Sequence, residues 1–211
     1  MIMAKIIPTV NTDSTAEYQK LIEAYSDLVD ELHLDVGDGK FGPVKTLSAS
    51  QMYWPKNLKI SVHSMQQNPL VDLEYWLAEQ IETLIIHASA QQVNLEAARK
   101  IKDTGLKLGV ALLSEVEAQE HFKLLALADE IMIFGGALGY SGGKAQIELL
   151  TRVEGLKLLN PKARLSWDGG ANEENVNKIA QAGIDKIYVG SAASKEENYA
   201  YNLNALRSAL D

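Results

Sequence analysis

Short, nearly uninterrupted apolar runs alternate along the chain with segments whose apolar residues recur every three to four positions. Runs rich in Ile, Leu and Val mark strands covered on both faces of a parallel sheet. Eight are predicted: 5–8, 31–36, 59–63, 83–87, 107–112, 130–134, 164–167 and 186–189. The intervening segments carry helix punctuation. Ser14 is placed to cap a helix reaching Ser26, and Asn68 followed by Pro69 opens one over 70–80. The segment 94–104 stops at Gly105. Ser114 with Glu117 forms a capping-box pattern for a helix through Leu125. The segment 146–159 ends before Pro161, Asn172 caps 173–182 with Gly183 as the stop, and 198–210 is the last helix. The faintest helical pattern is 45–54.

Eight strand and helix pairs in series satisfy the right-handed crossover rule most simply by closing into a parallel eight-stranded (β/α)8 barrel, the TIM-barrel class of α/β fold. The competing arrangement is an open doubly wound sheet, which would gather its site at one crevice where the strand order reverses. Polar residues instead recur at strand carboxyl ends all along the chain, at Thr9, His33, Asp35, His63, His87, Asp168 and Ser191, as barrel enzymes place them. With no linker or low-complexity tract in 211 residues, the expectation is one barrel domain over 1–211.

Composition narrows the chemistry. The 20 Lys and Arg against 28 Asp and Glu give a formal charge of −8, and no basic cluster tracks a phosphate backbone, which excludes nucleic acid as a partner. Without cysteine there are no disulfides, thiolate zinc sites or thiol nucleophiles, so any metal must be held by nitrogen and oxygen. The first ten residues lack a basic segment followed by an apolar core, and no apolar run approaches the roughly 20 residues that cross a bilayer. The expectation is a soluble, cytoplasmic protein that does not engage membranes.

The stretch Glu31-Leu32-His33-Leu34-Asp35-Val36-Gly37-Asp38-Gly39 reads as a buried strand entering a glycine turn. Residues two apart on a strand share a face, so His33 and Asp35 stand side by side and make half a metal site. His63 and Asp168, each at the end of another strand, are the candidates for the other half. Either histidine alone is explained as a core residue bonded to backbone carbonyls. His87 either lines the site or packs beneath it, and His121, among polar helical residues, reads as a surface group. Glycine-rich turns after the last three strands, Gly139-Tyr140-Ser141-Gly142-Gly143, Asp168-Gly169-Gly170 and Gly190-Ser191, can offer backbone N–H groups to an anion where barrels often hold phosphate.

Taken together, Pro8-Thr9, His33-Leu34-Asp35-Val36-Gly37-Asp38-Gly39-Lys40-Phe41, Val62-His63-Ser64-Met65-Gln66-Gln67-Asn68-Pro69, Asp168-Gly169-Gly170 and Val189-Gly190-Ser191-Ala192 resemble the ribulose-phosphate 3-epimerase family of metal-dependent (β/α)8 enzymes. The resemblance implies that His33, Asp35, His63 and Asp168 bind one divalent ion, commonly zinc, and that Asp35 and Asp168 also shuttle protons. Iron, manganese and cobalt suit the same donors. It assigns phosphate to the glycine turns, places Met65 beside the bound intermediate, and implies homo-oligomers. The chain departs from the family pattern at Thr9 for serine, at Gly37 and Phe134 for methionines, at Ser89 for a glutamate, and through the sixth loop, Ala137 to Gly143.

Epimerisation beside a carbonyl needs two acid/base groups flanking the carbon and support for the negative charge of an enediolate. Two carboxylates and a cation meet that need. The expected substrate is a sugar phosphate, D-ribulose 5-phosphate interconverting with D-xylulose 5-phosphate. The alternatives are another ketose phosphate such as a ketohexose 6-phosphate, lyase chemistry through the same enediolate, and a sugar-phosphate-binding or protein-binding relative without turnover.

Overall fold

The computed structural model describes residues 4–138 and 142–210. Eight parallel strands, β1 (Lys5–Val10), β2 (Glu31–Gly37), β3 (Lys59–Met65), β4 (Thr83–His87), β5 (Lys107–Leu112), β6 (Glu130–Phe134), β7 (Arg164–Asp168) and β8 (Lys186–Val189), close in sequence order with β8 returning to β1. The strands are buried along almost their entire length, as sheet residues covered by helices outside and side chains inside must be.

Several strands run further at their carboxyl ends than the apolar runs alone indicate. The ladder continues through Gly37↔Met65 and Phe134↔Asp168, so Asp168 is a strand residue held by hydrogen bonds on both sides. Side chains there inherit the rigidity of the barrel wall rather than the freedom of a loop.

The helices are α1 (Thr15–Ser26), α2 (Leu73–Ala78), α3 (Leu95–Asp103), α4 (Phe122–Leu125), α5 (Val153–Leu159), α6 (Val176–Gln181), α7 (Ser191–Ser194) and α8 (Tyr199–Ser208). Ser14 and Asn94 cap α1 and α3, their side chains accepting from Glu17 N and Ala97 N. Other expected starts shift. Asn68 Oδ1 accepts from Leu70 N in a tight turn, so α2 begins three residues late. Asn172 likewise takes Glu174 N, and α6 begins at Val176. Ser114 Oγ bonds Glu115 instead of closing a box, and 3-10 turns at Ala118–His121 and Ile147–Arg152 precede α4 and α5. Asn and Ser stabilise turns by the same side-chain bonds that cap helices, which is why the pattern overran. Segment 45–54 holds only the 3-10 turn Ala49–Gln51.

The lower barrel interior is ionic. Lys186 Nζ lies 2.6 Å from Glu31 Oε1 and 3.3 Å from Glu130 Oε2, and Tyr188 OH donates to Glu130 Oε1 at 2.6 Å. Above this layer stand the histidines. Among the described residues no helix is long and apolar enough to cross a membrane.

Candidate active site

Strand alternation brings His33 and Asp35 to the same inward face of β2, and register pairs Asp35 directly with His63 on β3. Barrel closure carries Asp168 across from β7. His63 Nδ1 lies 3.1 Å from Asp35 Oδ1 and 3.4 Å from Asp168 Oδ2; His33 Nε2 lies 3.3 Å and 3.8 Å from the same two oxygens. One donor atom from each of the four side chains falls within 4.8 Å of the others, and all four residues are buried.

These residues fit a divalent cation. Donors around a tetrahedral centre at about 2.1 Å are separated by roughly 3.4 Å, within the spread seen here. Both ring nitrogens of His33 are buried without a hydrogen-bond partner, a cost that coordination of one of them would remove. Two imidazoles and two carboxylates form a nitrogen and oxygen donor set suited to first-row divalent ions.

With protons as the only cations, the four groups act on one another at short range. Burial pulls His63 down, but the carboxylates of Asp168 and Asp35 outweigh it and raise the imidazole to about 9. His33 rises for the same reasons. Burial pushes both aspartates up, and the two histidines more than reverse it, holding Asp35 and Asp168 below the usual carboxylate range.

Above the cluster opens a cleft of about 410 Å³ at the carboxyl ends of the strands. Thr9, Met65, Asp35 and Asp168 line it, and Thr9 Oγ1 is buried without a partner. From the turns after β6, β7 and β8 come Gly142, Gly143, Gly169, Gly170, Gly190 and Ser191. Gly139 and Ser141 lie outside the described residues. Gly170, at φ +66, presses so closely on the sixth loop that a Cβ would sit 2.4 Å from Ala145 N, so only glycine permits these two turns to meet.

His87 does not line the cleft. It is fully buried behind His63, their Nε2 atoms 2.8 Å apart, with Phe41 and Phe134 beside its ring. Among the lining residues that escaped sequence reasoning, three stand out. Asn11 donates from Nδ2 to Asp35 Oδ2 at 2.7 Å; it continues the alternation from Thr9 and would have stood out had β1 been drawn to Val10. Lys45 is the only cationic side chain lining the cleft among the described residues, and Asp13 and Glu17 line it too. Tyr188, inside an apolar run, carried no local signal; its ring stacks on His33.

Comparison with known proteins identifies relatives along nearly the whole chain. A Helicobacter pylori protein named ribulose-phosphate 3-epimerase is 26% identical over 214 residues, covering 97% of each chain. One of the same name from Aquifex aeolicus is 28% identical over 169 residues, covering 77% of this chain and 76% of that protein. Among solved structures, 3-hexulose-6-phosphate synthase from Salmonella typhimurium superposes with a TM-score of 0.73 over 98% of both chains at 16% identity, a likeness of fold. The model of the ribulose-phosphate 3 epimerase family matches residues 5–193, which span the whole barrel wall and every strand-borne residue of the cluster, and the chain therefore belongs to that family.

Proposed function

We propose that this protein is an epimerase that inverts a ketose phosphate at the carbon beside its carbonyl, with D-ribulose 5-phosphate and D-xylulose 5-phosphate as the pair. The observation that carries the reading is the placement of two buried carboxylates, Asp35 on β2 and Asp168 on β7, on non-adjacent strands at the floor of one cleft. A planar enediolate between them would present one face to each.

One aspartate, ionised, takes the proton from the carbon; the other, protonated, returns one to the opposite face. Which begins ionised depends on the handedness of the substrate. Each turnover leaves the two protonation states exchanged, so one aspartate must release a proton and the other regain one before the same direction repeats. His33, Asp35, His63 and Asp168 would hold the divalent cation, zinc first, with iron, manganese or cobalt as alternatives, and the cation supplies Lewis-acid support for the negative charge that appears on deprotonation. Asn11 orients Asp35 from outside. The glycine turns at Gly142, Gly143, Gly169, Gly170 and Gly190, with Ser191, are positioned to take the phosphate through backbone N–H groups.

The test is turnover in deuterium oxide with ribulose 5-phosphate. Deuterium at the epimerised carbon, lost in both Asp35→Asn and Asp168→Asn, supports two-base epimerisation. Unchanged turnover in either variant defeats it. Exchange with a ketohexose 6-phosphate but not with a pentose phosphate keeps the chemistry and changes the substrate.

A further inference from the structure

His63 and His87 face one another through their Nε2 atoms at 2.8 Å, a contact in which one nitrogen donates and the other accepts. The opposite nitrogen of His63, Nδ1, is directed at the two carboxylates, 3.1 Å from Asp35 Oδ1 and 3.4 Å from Asp168 Oδ2. To act as a ligand there, Nδ1 must present a lone pair. Neutral His63 then carries its proton on Nε2, and His87 must accept at Nε2 and keep its own proton on Nδ1. Left to itself, His63 has a competing arrangement: a proton on Nδ1 given to Asp35, which closes the ligand position.

We propose that His87 is a positioning residue for the cation site, accepting the Nε2–H of His63 and thereby fixing the tautomer whose Nδ1 faces Asp35 and Asp168. The proposal rests on the metal-site reading of the four-residue cluster and extends it to a fifth side chain. His87 can hold this role because nothing competes for its acceptor. It is fully buried, the Phe41 ring lies 4.7 Å and the Phe134 ring 5.8 Å from its own, and it is absent from the cleft wall, so water and substrate do not reach it. The aromatic walls therefore leave the Nε2 of His63 as the group that meets Nε2 of His87.

Metal-binding histidines are generally oriented by a partner on their second nitrogen, and loss of such a partner costs about 10–100-fold in metal affinity. The experiment is zinc affinity of the metal-stripped full chain, measured by chelator competition for the wild type, His87→Phe and His87→Gln, with folding checked by circular dichroism. His87→Phe suits the aromatic surroundings but has no acceptor, and its affinity is expected to fall by roughly 10–100-fold. His87→Gln offers Oε1 near the position of Nε2 and is expected to stay close to wild type.

Equal affinity in the wild type and His87→Phe overturns the proposal and leaves the four-ligand site standing. Equal loss in both variants assigns His87 a packing role and also overturns it. A wild type that takes up no zinc overturns the site reading and the proposal together. Should His87→Phe fail to fold, imidazole 15N shifts of the zinc-loaded wild type decide: protons on His63 Nε2 and His87 Nδ1 support the assignment, and a proton on His87 Nε2 overturns it.

Discussion

Tyr188 lies nearly flat against His33, ring centroids 3.8 Å apart and planes inclined by 23°, while its hydroxyl donates to Glu130 Oε1 at 2.6 Å. One side chain thus joins the ionic floor of the barrel to the candidate cation site. His33, whose ring nitrogens have no hydrogen-bond partner, is held in orientation by this stack and by its place on β2.

Two substitutions separate these duties. Tyr188→Phe keeps the stack but removes a hydrogen bond to a charged acceptor, and is expected to destabilise the fold by about 1.5–3 kcal/mol with zinc affinity within a few-fold of wild type. Tyr188→Leu removes the ring and is expected to weaken zinc binding as well. Denaturant unfolding read beside zinc titration distinguishes them; equal zinc affinity in all three proteins would show that His33 does not depend on the stack.

Asn11 is exposed at the cleft wall while its amide holds Asp35 Oδ2 at 2.7 Å. Asn11→Ala should leave the melting temperature nearly unchanged, because an exposed side chain contributes little to folding. A lost bond to a charged group, at about 1.5 kcal/mol, should lower kcat/KM by roughly tenfold. Asn11→Asp, which sets a like charge beside Asp35, should cost more. Steady-state kinetics with the two variants checks the order.

The metal-free protein should lose stability in alkali. His63 is raised to about 9, so its contribution is complete below the ordinary imidazole value of about 6.5 and disappears as pH climbs through 9. The amount at stake is on the order of 3 kcal/mol, or roughly 6–12 °C in melting temperature. Asp35 and Asp168 are lowered, so their contributions are present above about pH 4 and fade in acid. A cation held by the cluster would occupy the position of the His63 proton, so the gain in melting temperature on adding zinc should be larger at pH 9 than at pH 6.5. A gain independent of pH over that interval would place the cation away from His63 Nδ1.

The strand order and all eight strand starts were legible because residues covered on both faces of a sheet leave an apolar run that needs no partner to be recognised. Helix starts were less so: Asn68 and Asn172 use their side chains in turns, and a three-residue window does not distinguish a turn from a cap. His33 and Asp35 could be paired from alternation alone. Asn11 was hidden by a strand end drawn two residues short, and Lys45 by a connection that holds a 3-10 turn where a helix was expected.

Side-chain alternation is intrinsic to every strand, so the positions of His33, Asp35, His63 and Asp168 at strand ends could be read from local pattern. Which nitrogen meets which oxygen follows from how the strands come together. Asp168 reaches His63 because β7 and β3 belong to one closed wall, and His87 meets His63 rather than the cleft because Phe41 and Phe134 occupy the space beside it. Those relations depend on barrel closure and inter-strand register, sums over contacts between residues far apart in the chain, and no local pattern records them.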